Sequence, residues 1–163
     1  PYHGYNLKDD LQYGIPGWGR GVGWFLYSIS ASIDYFEFNN PQEIQIIESF
    51  RQVIDRTIKY QNSNGLFNWL LITQKGPIDT SATAMILYSV ARAINKEVLD
   101  AQYKKCVVNG YKSLCGYVNQ GKVKQAMGDC AGFSMYPQFK YDSYPWSVAF
   151  FLLLSHEVIA FKD

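Results

Sequence analysis

The stretch Gly17-Trp18-Gly19-Arg20-Gly21-Val22-Gly23-Trp24-Phe25 puts an arginine, two tryptophans and four glycines at the head of a long apolar run. A guanidinium can grip a carboxylate through two parallel hydrogen bonds. An indole ring offers a flat, amphipathic wall. Arg20 and Trp24 are four positions apart, so a helix places them on one face, with Trp18 just ahead at the helix mouth. A helix N-terminus adds partial positive charge and free N–H groups. These parts predict a pocket for a flat, apolar-faced, negatively charged small molecule such as an acidic sugar. Glycine inside a helix costs about 1 kcal/mol relative to alanine, but it lets another group come close. A second reading needs no ligand: the glycines admit a neighbouring helix and the tryptophans belong to the core.

The elements that must position these residues are helical. A break at Asn39-Asn40-Pro41 separates a helix over about 19–36 from the next one. Asn40 suits an N-cap, Pro41 the first helical position and Glu43 the third. From there Ile44, Ile47, Phe50, Val53, Ile54 and Ile58 recur at three- and four-residue steps, which predicts an amphipathic helix to about Gln61. Asp79-Thr80-Ser81 offers N-cap residues for a small-residue helix over 82–93 carrying Met85, Leu87, Tyr88 and Val90. A further helix is expected from Lys96 to about Val118, with Val98, Cys106, Gly110 and Leu114 as its stripe, and a last one from Pro145 to about Ala160. Residues 1–17 read as loop, and 121–142 as irregular connection. No strand pattern or β-α alternation is visible, so the fold class is all-α, with helices in antiparallel hairpins. The connections around 66–79 and 121–144 are expected to project from one end.

Composition bounds the function. The 163 residues are 48% hydrophobic and 18% charged, which fits one globular domain with a real core. A net charge of +1 gives no reason to expect nucleic acid or an anionic membrane as partner. Aromatic content of 17%, with 13 tyrosines, exceeds the needs of a core and fits a carbohydrate cleft or a protein interface. Cys106, Cys115 and Cys130 make an odd set without C-x-x-C, so neither a disulfide framework nor a metal site is expected, and free thiols suit a reducing, cytoplasmic setting. No apolar run is long enough to span a bilayer. The text begins at Pro1 in mid-pattern, which reads as a fragment or a processed chain.

Three blocks carry a resemblance: Tyr2-His3-Gly4-Tyr5, Trp18-Gly19-Arg20-Gly21-Val22-Gly23-Trp24, and Asp79-Thr80-Ser81-Ala82-Thr83-Ala84-Met85. Together with the turn Asn64-Gly65-Leu66-Phe67, their order resembles the unsaturated glucuronyl and rhamnogalacturonyl hydrolases, glycoside hydrolase families 88 and 105. The resemblance covers nearly the whole chain. It departs at Val22, where the family usually has Asn; at Asp79, where Glu is common; and at Tyr144-Pro145-Trp146-Ser147, where the family tends to Tyr-Gly-x-Gly. The last departure reshapes the cleft rim.

The resemblance implies a six-hairpin α/α toroid, of which residues 1–163 would supply the C-terminal half. The implied reaction removes a 4,5-unsaturated uronic acid from the non-reducing end of an oligosaccharide left by a polysaccharide lyase, by hydrating the double bond. No cofactor or metal is implied. The general-acid Asp would lie upstream of residue 1; Asp9, Asp10, Asp34 and Asp79 offer no substitute, and no carboxylate pair of the ordinary glycosidase kind can be placed. By position, His3, Trp18, Arg20, Trp24 and Tyr144 would bind substrate: Arg20 a carboxylate or hydroxyls, the indoles a sugar ring, His3 the sugar or the charge of the general acid. Trp146 would line the cleft or pack at its rim. Thr80 and Ser81 read as helix caps, and His156 has no assigned role. The chain alone would be inactive and would associate with itself, or with its missing N-terminal half, through unpartnered helix flanks. The rival class is a non-catalytic α-helical module that binds acidic oligosaccharide or a protein; a weaker third is a toroid sugar epimerase.

Overall fold

The computed structural model describes residues 2–73, 76–129 and 140–161. A hairpin comes first, β1 (Gly4–Asn6) against β2 (Leu11–Tyr13). Helices α1 (Gly19–Ser32), α2 (Pro41–Ile58), α3 (Thr80–Asn95) and α4 (Lys104–Cys115) follow. Two more strand pairs, β3 (Val118–Asn119) with β4 (Lys122–Val123) and β5 (Ala126–Met127) with β6 (Tyr141–Asp142), precede α5 (Pro145–Ile159).

α3 is the centre of the bundle. Every residue from Thr80 to Ala91 is buried, and the helix packs against α1, α4 and α5. Its small residues make this possible: alanine, serine and threonine let neighbouring helices close in on several sides at once. α2 is the opposite case, an amphipathic helix that buries Ile47, Phe50 and Ile54 and leaves Ile44 exposed. Each of those buried side chains contributes about 1.5–3 kcal/mol of transfer free energy. The Asn40 side chain caps α2, accepting from the N–H groups of Gln42 at 2.8 Å and Glu43 at 3.3 Å.

Residues 101–103 form a 3-10 turn leading into α4, but the reading of 96–100 as helix is corrected. α3 ends in a Schellman cap there. The Glu97 N–H donates to Ile94 O at 3.0 Å and the Val98 N–H to Ala93 O at 2.8 Å, with Glu97 at φ 58°. That geometry satisfies the last carbonyls of α3 and folds a hydrophobic residue back onto the helix, and Val98 and Leu99 are accordingly buried. The usual glycine at this cap position is absent, so the sequence carries no stop signal.

The expectation of no strands is also corrected, by three two-stranded ribbons among the described residues. Strands of two or three residues are too short to show alternation. The β3–β4 turn has positive φ at both central residues, Gln120 (48°) and Gly121 (73°), as a type I′ hairpin requires. Residues 1–17, read as loop, contain the β1–β2 hairpin, whose turn is closed by Asn6 Nδ2 donating to Asp9 at 2.6 Å and Asn6 Oδ1 accepting from the Lys8 N–H at 2.9 Å.

The far end of the bundle is tied by charge. Arg92 on α3 reaches Asp34 beyond α1 at 2.5 Å and Glu157 on α5 at 3.3 Å. Asn95 donates to Glu157 at 2.8 Å. Lys96 pairs with Asp34 at 2.6 Å, and the hydrogen bond from its ammonium is the main reason the Asp34 carboxyl lies below the usual range. This network disposes of Asp34 as a site residue.

On the outer side of α5, Leu152, Leu153 and Ile159 are exposed. Cys106 and Cys115 both lie on α4 as free thiols, and burial pushes the Cys106 thiol up to about 11. Cys130, and the part of the 121–144 connection at 130–139, fall outside the described residues. Among the described residues no helix is long and apolar enough to cross a membrane.

Candidate functional site

The N-terminal ends of α1, α3 and α5 gather at one end of the bundle, where both long connections meet them. The 66–71 segment runs alongside the entry to α1: Gly19 N–H donates to Trp69 O at 2.6 Å and Leu71 N–H to Gly17 O at 2.8 Å. It is extended, with isolated bridges Trp18 to Leu70 and Asn68 to Ile78. The 124–128 segment is pinned to the start of α3. Thr80 N–H donates to Gln125 O at 3.1 Å, and Thr80 Oγ1 donates to Lys124 O at 2.8 Å. Asp79 caps α3 and holds the same segment: its Oδ1 accepts from Ser81 N–H at 2.9 Å, Ser81 Oγ at 2.6 Å and Met127 N–H at 3.1 Å. Thr80 and Ser81 are fully buried; the reading of them as caps is corrected, since both lie in the first turn of α3 and the cap is Asp79.

The glycines of α1 serve two ends at once. A Cβ on Gly23 would stand 2.8 Å from Met85 Cβ, and one on Gly19 2.9 Å from Asn68 O, so these positions let α3 and its preceding loop approach. A Cβ on Gly21 would stand 2.7 Å from the Trp18 ring. Gly21 therefore makes room for that indole to fold over its own helix, toward the open end. Close packing accounts for Gly19 and Gly23, while Gly21 makes room for the Trp18 indole.

His3, Trp18, Arg20, Trp24, Asp129 and Trp146 surround a hollow of about 290 Å³ at this end. The His3 ring sits 4.4 Å from the Trp18 ring, centroid to centroid. Trp24 is 46% exposed and braced edge-on by Phe150 at 5.5 Å. The Arg20 side chain is 5% exposed. Its Nη1 donates to Met127 O at 2.5 Å and its Nη2 to Gly128 O at 2.8 Å. Its guanidinium carbon lies 5.3 Å from the centroid of Trp18 and 5.3 Å from that of Trp146. Such placement over indole rings is favourable in itself. Arg20 is thus the hub of the site: it links a helix start, a strand end and two aromatic walls. Two of its N–H groups are already committed to carbonyls.

Tyr144 caps the wall from behind. Its ring stacks on Trp146 at 4.7 Å, with only 2° between the planes, and its hydroxyl fills the space beside Gly128, 2.7 Å from where a Cβ would stand. Of the five residues predicted to bind substrate, four line the hollow and Tyr144 backs it. Asp129 and the lining role of Trp146 add to that set.

The imidazole of His3 is held below its ordinary pKa, first by burial and then by the Arg20 charge. Neutral imidazole is therefore its form at pH 7. Burial pushes the Tyr141 phenol up, with the nearby Asp79 carboxylate adding to the shift. Arg20 brings a positive charge to the wall of the hollow, and Asp129 on the same wall opposes it.

Helices that converge by their N-termini on an aromatic, arginine-centred hollow define an α-helical, toroid-type scaffold with one open end. The model of Glycosyl Hydrolase Family 88 matches residues 2–162, and the chain belongs to that family. Three solved structures share its fold. One is a possible member of family 105 from Salmonella enterica serovar Paratyphi A, at TM-score 0.90 and 20% identity over 98% of this chain and 44% of that one. A family 88 protein from Bacteroides vulgatus follows at TM-score 0.76 and 20% identity, over 89% of this chain and 43% of that one. The third is an unsaturated glucuronyl hydrolase responsible for the degradation of glycosaminoglycan, from Bacillus sp. GL1, at TM-score 0.67 and 15% identity over 89% and 42%. The chain spans less than half the length of each. The fold class is all-α, a partial α/α toroid.

Proposed function

We propose that this chain is the C-terminal portion of a single toroid domain that removes 4,5-unsaturated uronic acid from the non-reducing end of lyase-generated oligosaccharides. The observation that carries the reading is the gathering of His3, Trp18, Arg20 and Trp24 around one hollow in a chain of family 88. The name of the Bacillus sp. GL1 protein supplies the substrate class. In the proposed reaction a proton is delivered to C4 of the unsaturated ring and water adds at C5. The product is a hemiketal, which opens and releases the rest of the oligosaccharide. The proton donor is an Asp from the preceding half of the toroid. In this chain the indoles of Trp18 and Trp24 take the ring faces, and neutral His3 has one ring N–H donor and one ring nitrogen acceptor to offer at the wall. Arg20 keeps the walls in place and lends positive charge toward the uronate. The site of action is cytoplasmic, where Cys106 and Cys115 stay reduced.

The full-length protein, given unsaturated uronyl disaccharides, is expected to abolish the ultraviolet absorbance of the double bond. No loss with any pectin-, ulvan- or glycosaminoglycan-derived substrate overturns the proposal. Should the protein bind these sugars in calorimetry without ever turning them over, a non-catalytic binding module replaces it.

The 163-residue chain by itself is proposed to be inactive, with the exposed Leu152, Leu153 and Ile159 of α5 covered by preceding hairpins of the parent. Light scattering of the isolated chain is expected to show self-association, because an apolar helix face of that kind seeks a partner. A stable monomer across a concentration series contradicts this.

A further inference from the structure

We propose that Asp129 is a specificity-determining residue: its carboxylate accepts hydrogen bonds from the hydroxyls of a neutral sugar joined to the uronate, and it disfavours a sulfated or carboxylated sugar in that place. The inference rests on the hydrolase reading above for its substrate class.

Asp129 is the one carboxylate among the described residues that line the hollow. It is exposed, and it forms no ion pair with Arg20. The reason lies in the hub: Arg20 directs Nη1 and Nη2 at the carbonyls of Met127 and Gly128, so those two donors are taken by the backbone just before Asp129. That backbone is held from every side. Met127 N–H donates to Asp79 Oδ1 at 3.1 Å, and Gly128 N–H donates to Lys140 O at 2.7 Å. Asp129 therefore lines the hollow next to a backbone fixed at Met127 and Gly128, with two of the Arg20 donors already spent on carbonyls.

The chemistry of the wall then selects the occupant. An ionised carboxylate accepts hydrogen bonds and donates none, and its two oxygens together offer about four acceptor directions. Vicinal hydroxyls of a pyranose match that pattern, and hydrogen bonds to a charged acceptor are stronger than neutral ones. The indoles of Trp18, Trp24 and Trp146 supply the apolar surface that sugar ring faces need. A second negative charge beside Asp129 meets like-charge repulsion in a partly enclosed space. Rejection of a competitor by an unpaired charge is a recognised route to specificity. The anionic end of the ligand is thereby directed to the Arg20 and His3 side, and the neutral end to Asp129.

The test uses the full-length protein with Asp129→Asn and Asp129→Ala. The probes are an unsaturated uronyl disaccharide with a neutral second sugar, its sulfated counterpart, and the saturated form of the neutral disaccharide for calorimetry. Asp129→Ala is expected to weaken the Kd for the saturated neutral disaccharide about tenfold. The kinetic penalty falls on KM more than on kcat, and kcat/KM for the sulfated probe rises relative to the neutral one. Asp129→Asn, which keeps one acceptor and loses the charge, should be intermediate on the neutral probe and equal to Asp129→Ala in tolerance of sulfate. Unchanged Kd in both variants, or an unchanged ratio of neutral to sulfated turnover, overturns the assignment. If the unsubstituted protein turns over neither probe, the hydrolase reading fails, and the saturated disaccharide decides Asp129 separately: binding lost in Asp129→Ala sustains it, and equal or absent binding in both proteins overturns it.

Discussion

Arg20→Ala is expected to abolish measurable turnover in the full-length protein, with kcat/KM falling by about a hundredfold or more, because misplacement of a site wall by even about 1 Å can cost that much. Arg20 need not touch the uronate for this loss. Its guanidinium is the common neighbour of Trp18 and Trp146 and the donor to Met127 O and Gly128 O. Without it two carbonyls lose their donors, at about 1–3 kcal/mol for each one left buried and unsatisfied. Both indoles also lose the cation between them. Arg20→Lys is expected to rescue little, since an ammonium cannot reproduce the planar fork that meets two carbonyls at once. A second readout separates electrostatics from mere loosening. The Arg20 charge is one of the two causes that hold the His3 imidazole below its ordinary value, so the His3 midpoint, followed by NMR, should move upward in both Arg20→Ala and a charge-neutral Arg20→Gln. A full-length Arg20→Ala protein with unaltered kcat/KM and an unmoved His3 midpoint contradicts the hub.

What could be read from the chain without coordinates follows from range of interaction. The starts of α2, α3 and α5 are announced locally, by Asn40-Pro41, by Asp79 and by Pro145. A local signal is legible because a cap acts within one turn. The end of α3 is not announced: Glu97 adopts positive φ without being glycine, and the cap is driven by burial of Val98 and Leu99, a tertiary effect. The site shows the same division. Arg20 and Trp24 stand together because one helix turn brings them together, and Trp18 joins them from the N-cap of the same helix. Asp129 was out of reach because the segment that carries it is fixed by contacts from Arg20 to Met127 and Gly128, which join positions 107 and 108 residues apart. For Trp146 the chain alone left lining and rim packing open, and its place beside Arg20 on the hollow decides for lining. No periodicity runs through 124–129 to flag that segment. The only hint is compositional, a Gly-Asp pair in a connection longer than a turn requires. Asp79 was legible as a cap and illegible as an anchor, since its second duty depends on where β5 lies.

That double duty makes Asp79 the residue whose loss should cost the fold most while also disordering the site. Asp79 is fully buried. Its Oδ1 satisfies Ser81 N–H at the start of α3 and Met127 N–H at the end of β5. Removing an N-cap costs roughly 0.5–2 kcal/mol, and stranding a buried N–H such as that of Met127 adds about 1–3 kcal/mol. Asp79→Ala is therefore expected to lose about 3 kcal/mol of stability in denaturant titration. Asp79→Asn keeps an oxygen acceptor for both N–H groups and should lose much less. The partition between the two duties can be read directly. Ser81 lies in α3 and Met127 beside the hollow, so amide hydrogen exchange should accelerate at both in Asp79→Ala. Only the Met127 effect should be echoed at Gly128 and at the indole signals of Trp18 and Trp146, since those share the Arg20 hub. Accelerated exchange confined to the first turn of α3, with ligand affinity intact, would show that Asp79 is a cap and nothing more. The bond from Met127 would then be incidental to the hollow, and Arg20 alone would hold that wall.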